Sequence, residues 1–108
     1  PDRREGCGRR MDWKEAVTLR FEPPDPAKFP ALAVAYEVAE RGGTFGAVMN
    51  AANEVAVEAF VAGKIAFGGI SDLVSRTIRR HRLEANPTMD DLLEADRWAR
   101  ATARELLA

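Results

Sequence analysis

A chain of 108 residues, 46% hydrophobic and 31% charged, carries enough apolar surface for one core and too much to stay disordered. Sixteen Lys and Arg against seventeen Asp and Glu leave a net charge of −1, which gives no support to a globally basic nucleic-acid binder. A single Cys and a single His exclude an internal disulfide and a tetrahedral zinc site, and no apolar run approaches the roughly 18 residues of a membrane helix. The charged N-terminus lacks the apolar region of a secretory signal, so a soluble, cytoplasmic protein is expected. Pro1 in place of an initiator Met is expected of the interior of a longer polypeptide or of a processed one.

Residues 1–27 have no sustained apolar period and read as an extended linker rich in Pro and Arg. Val17, Leu19 and Phe21 alternate with polar residues, which predicts at most one short strand with no local partner. Pro23, Pro24 and Pro26 hold the next stretch extended or turned. After residue 25 the chain reads as helical. Asp25-Pro26 is a cap candidate for a first helix starting near Pro26 or Pro30 and ending at Arg41, with Leu32, Tyr36 and Ala39 on its buried face. Gly42-Gly43 ends it.

A second helix is predicted over residues 44–62, with Phe45, Val48, Met49, Ala52, Val55, Ala56, Ala59 and Phe60 at helical spacing. Residues 64–69 read as a connector whose apolar members dock on the bundle. A third helix over 70–81 buries Ile70, Leu73, Val74, Thr77 and Ile78. After a loop from Leu83 to Pro87, Thr88 and Asp91 form a capping box opening a fourth helix that reaches Leu107. Its stripe is Met89, Leu92, Leu93, Asp96, Ala99, Ala103 and Leu106, with Asp96 out of character. The expected fold is all-α, an antiparallel four-helix bundle over residues 28–108. Alanines at 31, 33, 35, 39, 51, 52, 56 and 59 would let its helices approach closely.

The chemistry in these residues is sparse. Gly42-Gly43 and Gly68-Gly69 read as caps and connectors, not phosphate loops. Glu54 and Glu58 share a helix face, but the Glu-x-x-His pairs of a di-iron bundle are missing, and His81 follows Arg79-Arg80 on a polar face as a solvated residue. Asn50 and Asn53 interrupt an otherwise strong helix, which predicts a buried or half-buried hydrogen-bond network ahead of a ligand contact. Arg76, Arg79, Arg80 and Arg82, with Lys64, make a local basic face, either solvated or available to a protein or polyanion. Trp13 and Trp98 read as packing anchors. Cys7 has no neighbouring His base in the sequence and is a weak nucleophile candidate.

Several segments in order resemble one family. Residues 18–25 (TLRFEPPD), Phe29-Pro30-Ala31-Leu32, Ala35-Tyr36-Glu37 and Gly42-Gly43-Thr44 are similar to the C-terminal part of 1-deoxy-D-xylulose 5-phosphate reductoisomerase. The most specific piece is residues 50–57 (NAANEVAV) with Ala59-Phe60. Gly63-Lys64-Ile65-Ala66-Phe67, Asp91-Leu92-Leu93, Asp96 and Trp98-Ala99-Arg100 continue it. Pro1-Asp2-Arg3 resembles the exit from that family's central domain. The resemblance implies a parent enzyme that rearranges and reduces 1-deoxy-D-xylulose 5-phosphate to 2-C-methyl-D-erythritol 4-phosphate in non-mevalonate isoprenoid synthesis. It implies NADPH and Mg or Mn as the parent's cofactors, none of them bound by this chain. The implied partners are the NADPH-binding and catalytic domains of the same polypeptide, in a homodimer. This stretch would match the linker and the C-terminal helical domain. Apolar faces left bare would favour self-association of the isolated chain. No residue here is assigned as catalytic, cofactor-binding or metal-binding, and Asn50, Asn53 and Glu54 match the helical domain's own motif. The chain alone is expected to be inactive. A free-standing binding or regulatory module using Arg76, Arg79, Arg80 and Arg82 is the alternative.

Overall fold

Residues 11–108 are described by the computed structural model, so Cys7 and the arginines at 3, 4, 9 and 10 lie outside the described part. Residues 11–30 have little to bury their apolar side chains against. Trp13, Val17, Leu19 and Phe21 are 57–88% exposed. Trp13 is therefore no anchor, and no strand forms among the described residues. The expected 17–21 strand does not form, because a strand needs a neighbour to receive its backbone groups. Asp25 does cap, but it caps a turn: its Oδ1 accepts from the amides of Ala27 and Lys28 at 2.9 and 3.2 Å. The helix itself begins later, behind Pro30.

Four helices follow, α1 Ala31–Arg41, α2 Phe45–Val61, α3 Phe67–Arg80 and α4 Met89–Leu107. All four contribute to the core, with α2, α3 and α4 supplying most of it. Along α2, Phe45, Val48, Ala51, Ala52, Val55, Ala56 and Ala59 are buried, in the 3–4 spacing of one helix face. Leu73, Val74, Thr77 and Ile78 of α3 meet one flank of that face. Ala95, Ala99, Thr102 and Ala103 of α4 meet the other. Alanine on both sides of the α2–α4 contact lets the two backbones close without voids. Thr77, fully buried, satisfies its hydroxyl on the Leu73 carbonyl one turn back, at 2.8 Å.

The helix faces differ from the expected ones in instructive ways. α1 packs chiefly on α2 and buries Val38, with Val34 half-buried; Tyr36 is 73% and Leu32 39% exposed, and the alanines at 31, 33, 35 and 39 are open. On α4 the buried stripe follows the small residues, while Met89 and Leu93 are 70% and 50% exposed. On α2, Phe60 turns outward at 38%. The connector before α3 is shorter than expected: the helix starts at Phe67, Ile65 docks, and Phe67 stands 74% exposed.

Two helix ends follow their local chemistry. Gly42 and Gly43 adopt φ of +63° and +55°, which closes α1 at low steric cost. At α4, the Thr88 amide donates to Asp91 Oδ2 at 2.8 Å and the Asp91 amide donates back to Thr88 Oγ1 at 3.3 Å, a capping box with Asp in the usual Glu place. Hydrogen bonds from the Thr88 side chain and backbone hold the Asp91 carboxyl below its ordinary pKa.

Candidate functional site

Three groups of side chains carry chemistry in the described residues. The first joins the α1–α2 turn to the α3–α4 loop. The Thr44 amide donates to the Glu84 carbonyl at 3.0 Å, and the Glu84 amide donates to Thr44 Oγ1 at 3.1 Å. His81 Nε2 lies 2.8 Å from the same hydroxyl. The imidazole is tilted between the rings of Phe45, 5.9 Å away, and Trp98, 4.9 Å away. The solvated His81 expected from its arginine neighbours is thus half-buried, and desolvation lowers its pKa from the ordinary value near 6.5. Trp98 is the packing anchor expected of it.

A hydroxyl beside an imidazole is the geometry of an activated nucleophile. Here it cannot serve as one. Thr44 is 2% exposed, and its oxygen is already engaged by the Glu84 amide. The cluster acts as a clip between two loops. The cleft beside it, about 420 Å³, mixes Arg80 and Arg82 with Glu84, Asp91 and Glu94. That mixture cancels the field a polyanion would need. Arg76 pairs with Asp72 at 3.5 Å, and Arg79 and Arg80 occupy the last turn of α3, where cations suit the helix dipole. Helix electrostatics therefore accounts for Arg76, Arg79 and Arg80, while Arg82 lies beyond the end of α3.

The second group links α2 to α4. Arg100 reaches Asp96 on its own helix at 2.8 Å and Glu54 on α2 at 2.8 Å. Asn50 donates to the other Glu54 oxygen at 3.0 Å. Asp96, out of place in an apolar stripe, is explained by this bridge. The Arg100 guanidinium is held more firmly protonated by Asp96 first and Glu54 second. Glu54 is thereby committed to a cation, which removes it from a carboxylate pair with Glu58. No group of three or more metal-ligating side chains assembles among the described residues.

The third group corrects the sequence expectation for the asparagines. Asn50 and Asn53 are both exposed, not buried in a network. They lie on the open face of α2, beside Met49 and Val57, where α1 and the start of α3 leave an apolar groove. Sequence reasoning missed both this groove and the Thr44–His81–Glu84 clip. For the clip the available signal was a polar residue directly after a Gly-Gly helix stop; for the groove it was Val57 sharing a helix face with Asn50 and Asn53.

A helical packing domain is the class these features define: a tight alanine-rich core, loops clipped together, apolar surface on one side and, among the described residues, no accessible nucleophile–base pair. The family model of the DXP reductoisomerase C-terminal domain matches residues 1–102. The 1-deoxy-D-xylulose 5-phosphate reductoisomerase of Halothermothrix orenii is 42% identical over 106 residues, covering 98% of this chain and 28% of that protein. The same enzyme from Rhodopirellula baltica is 50% identical over 96 residues, covering 89% of this chain and 21% of that protein. A solved structure of the Zymomonas mobilis reductoisomerase, in complex with NADPH, superposes with a TM-score of 0.81 at 37% identity, over 97% of this chain and 28% of that one. The chain belongs to the DXP reductoisomerase family, as its C-terminal domain. It spans less than a third of the length of these relatives. No helix in the described residues is long and apolar enough to cross a membrane.

Proposed function

We propose that this domain serves an enzyme that converts 1-deoxy-D-xylulose 5-phosphate to 2-C-methyl-D-erythritol 4-phosphate with NADPH. On this reading the nicotinamide chemistry and the divalent metal, Mg or Mn, belong to the remainder of the polypeptide. The present residues supply no catalytic, cofactor or metal ligand. Residues 1–27 act as the linker and residues 28–108 as the helical domain proper. The enzyme works as a cytoplasmic homodimer. The domain's contribution is mechanical: a rigid helical body that holds elements of the catalytic portion in place.

The observation that carries the reading is the match to relatives named for this reaction along nearly the whole chain, while spanning so little of each relative. The test follows NADPH oxidation with 1-deoxy-D-xylulose 5-phosphate and Mg. The full-length polypeptide turns over, and the 108-residue chain does not. Turnover by the 108-residue chain alone, or an inactive full-length protein, would overturn the proposal.

A further inference from the structure

The clip between the two loops has a proton count that only one state of His81 satisfies. Thr44 Oγ1 accepts from the Glu84 amide at 3.1 Å and lies 2.8 Å from His81 Nε2. A hydroxyl has one proton to give. Among the described residues Oγ1 meets no other polar atom at hydrogen-bond distance, so Nε2 is the acceptor of that proton. The bond then requires a neutral imidazole with its own proton on Nδ1. Adding a second proton makes both ring nitrogens donors. Nε2–H would then face an oxygen that already accepts from Glu84, and the Thr44 proton would lose its acceptor where the residue is 2% exposed. His81 lines the open cleft beside the clip, so solvent protons reach the ring.

We propose that the Thr44–His81–Glu84 clip is an acid-released latch, which holds the α1–α2 turn against the α3–α4 loop while His81 is neutral and lets the turn go when His81 is protonated. The surrounding charges do not cancel this effect. α1 brings Arg41, whose guanidinium lies 4.3 Å over the Phe45 ring. α3 brings Arg80, the loop brings Arg82 and Glu84, and α4 brings Asp91 and Glu94. α2 meets the imidazole with the uncharged Phe45. Cations and carboxylates therefore balance, three against three. The faces of Phe45 and Trp98 attract a cation, but Phe45 already serves Arg41. Desolvation is left to decide, and it places the release on the acid side of 6.5. What the latch holds is the least covered helix. α1 packs chiefly on α2, buries only Val38, and joins α2 through Gly42 and Gly43, both at positive φ. Once the turn is free, α1 and the lead-in it carries swing about these glycines while the core of α2, α3 and α4 stays packed.

The experiment follows hydrogen exchange by mass spectrometry in the full-length polypeptide from pH 8 to pH 5, each rate divided by the intrinsic rate at that pH. Peptides over residues 42–46 and 82–86 carry the Thr44 and Glu84 amides, and peptides over 36–41 report on the end of α1. Protection at all three falls by about tenfold or more into acid, and by no more than about tenfold per pH unit, as one proton allows. Peptides from the middle of α2 and of α4 stay about tenfold or more better protected at every pH, because the latch opens without the core. In His81→Phe, which keeps a ring and loses the nitrogens, protection at the latch no longer changes with pH. His81→Gln is a second neutral variant with an acceptor for the Thr44 proton, and it gives the same flat profile. Imidazole nitrogen-15 shifts at pH 8, with the His81 signals identified by their loss in either variant, place the bare nitrogen at Nε2. Latch protection independent of pH, an acid slope that survives in both variants, or α1 steady while the latch opens would each overturn the proposal. So would latch and core exchanging alike, or a proton on Nε2 at pH 8.

Discussion

Replacing Gly43 with alanine tests the clip that joins the two loop ends of the domain. Gly43 has φ of +55°, and a Cβ there would fall on the Glu84 carbonyl oxygen, within 2.9 Å of Leu83 Cδ1 and 3.0 Å of the Ala85 Cα. The obstacle is largely backbone, so it cannot rotate away. The left-handed conformation alone costs an alanine about 1–2 kcal/mol. Moving Glu84 aside also breaks the Thr44-to-Glu84 and Glu84-to-Thr44 bonds, each worth roughly 0.5–1.5 kcal/mol net. Together this gives a loss of about 2–5 kcal/mol. In a domain of this size that lowers Tm by roughly 10 °C or more. Gly63 provides the internal control: its φ is +70°, but nothing lies within 4 Å of its Cβ position. Gly63→Ala therefore carries the backbone cost without the collision. Thermal and urea unfolding followed by circular dichroism compare the two variants. Equal destabilisation by Gly43→Ala and Gly63→Ala would refute the collision and the clip built on it.

Three further outcomes follow from the same geometry. Because burial lowers the folded-state pKa of His81 while the unfolded chain titrates near 6.5, its contribution is complete above that value and declines as pH falls below it. Urea midpoints measured between pH 8 and 5 drop toward acid, and His81→Phe flattens that slope; an unchanged slope would contradict the assignment. Asp91 is also shifted down, by hydrogen bonds to its charged form, and its stabilisation is lost only at lower pH, as pH falls below its ordinary 3.8. Thr88→Ala costs about 0.5–2 kcal/mol and speeds hydrogen exchange in the first turn of α4 before any other helix. Uniform acceleration across all four helices would argue against a local cap. Ala99→Leu, at a site with no exposure in the α2–α4 contact, destabilises by about 1–3 kcal/mol through overpacking. A neutral result in calorimetry would mean that contact is looser than described.

Much of the architecture was legible in the chain. α2 ran almost to its predicted ends, because apolar residues at every third or fourth position and Gly63 behind them leave little choice. The Thr88–Asp91 box and the Gly42-Gly43 stop worked as written, since both depend on contacts within a few residues. The family was legible too, in the run of residues 50–57. Asp96 read as an anomaly, and the anomaly was real: it marks the start of the bridge through Arg100 to Glu54.

Which apolar residues face inward was another matter. Periodicity gives the spacing of a helix face, but the inner face is chosen by what the neighbouring helices bring to it. Large residues on α1 and α4, such as Leu32, Tyr36, Met89 and Leu93, suggested a core made of bulk; the packed contact was made of Ala95, Ala99, Val34 and Val38. His81 looked solvated beside two arginines, because nothing local shows that Phe45 and Trp98, distant in the chain, will close on its ring. Asn50 and Asn53 looked committed to an interior that turned out to be an open face. The sequence by itself determined the helices, their caps and the kinship, all of which are written in neighbouring residues. Only the tertiary structure decided which side of each helix is covered, because burial depends on long-range packing that no local pattern encodes.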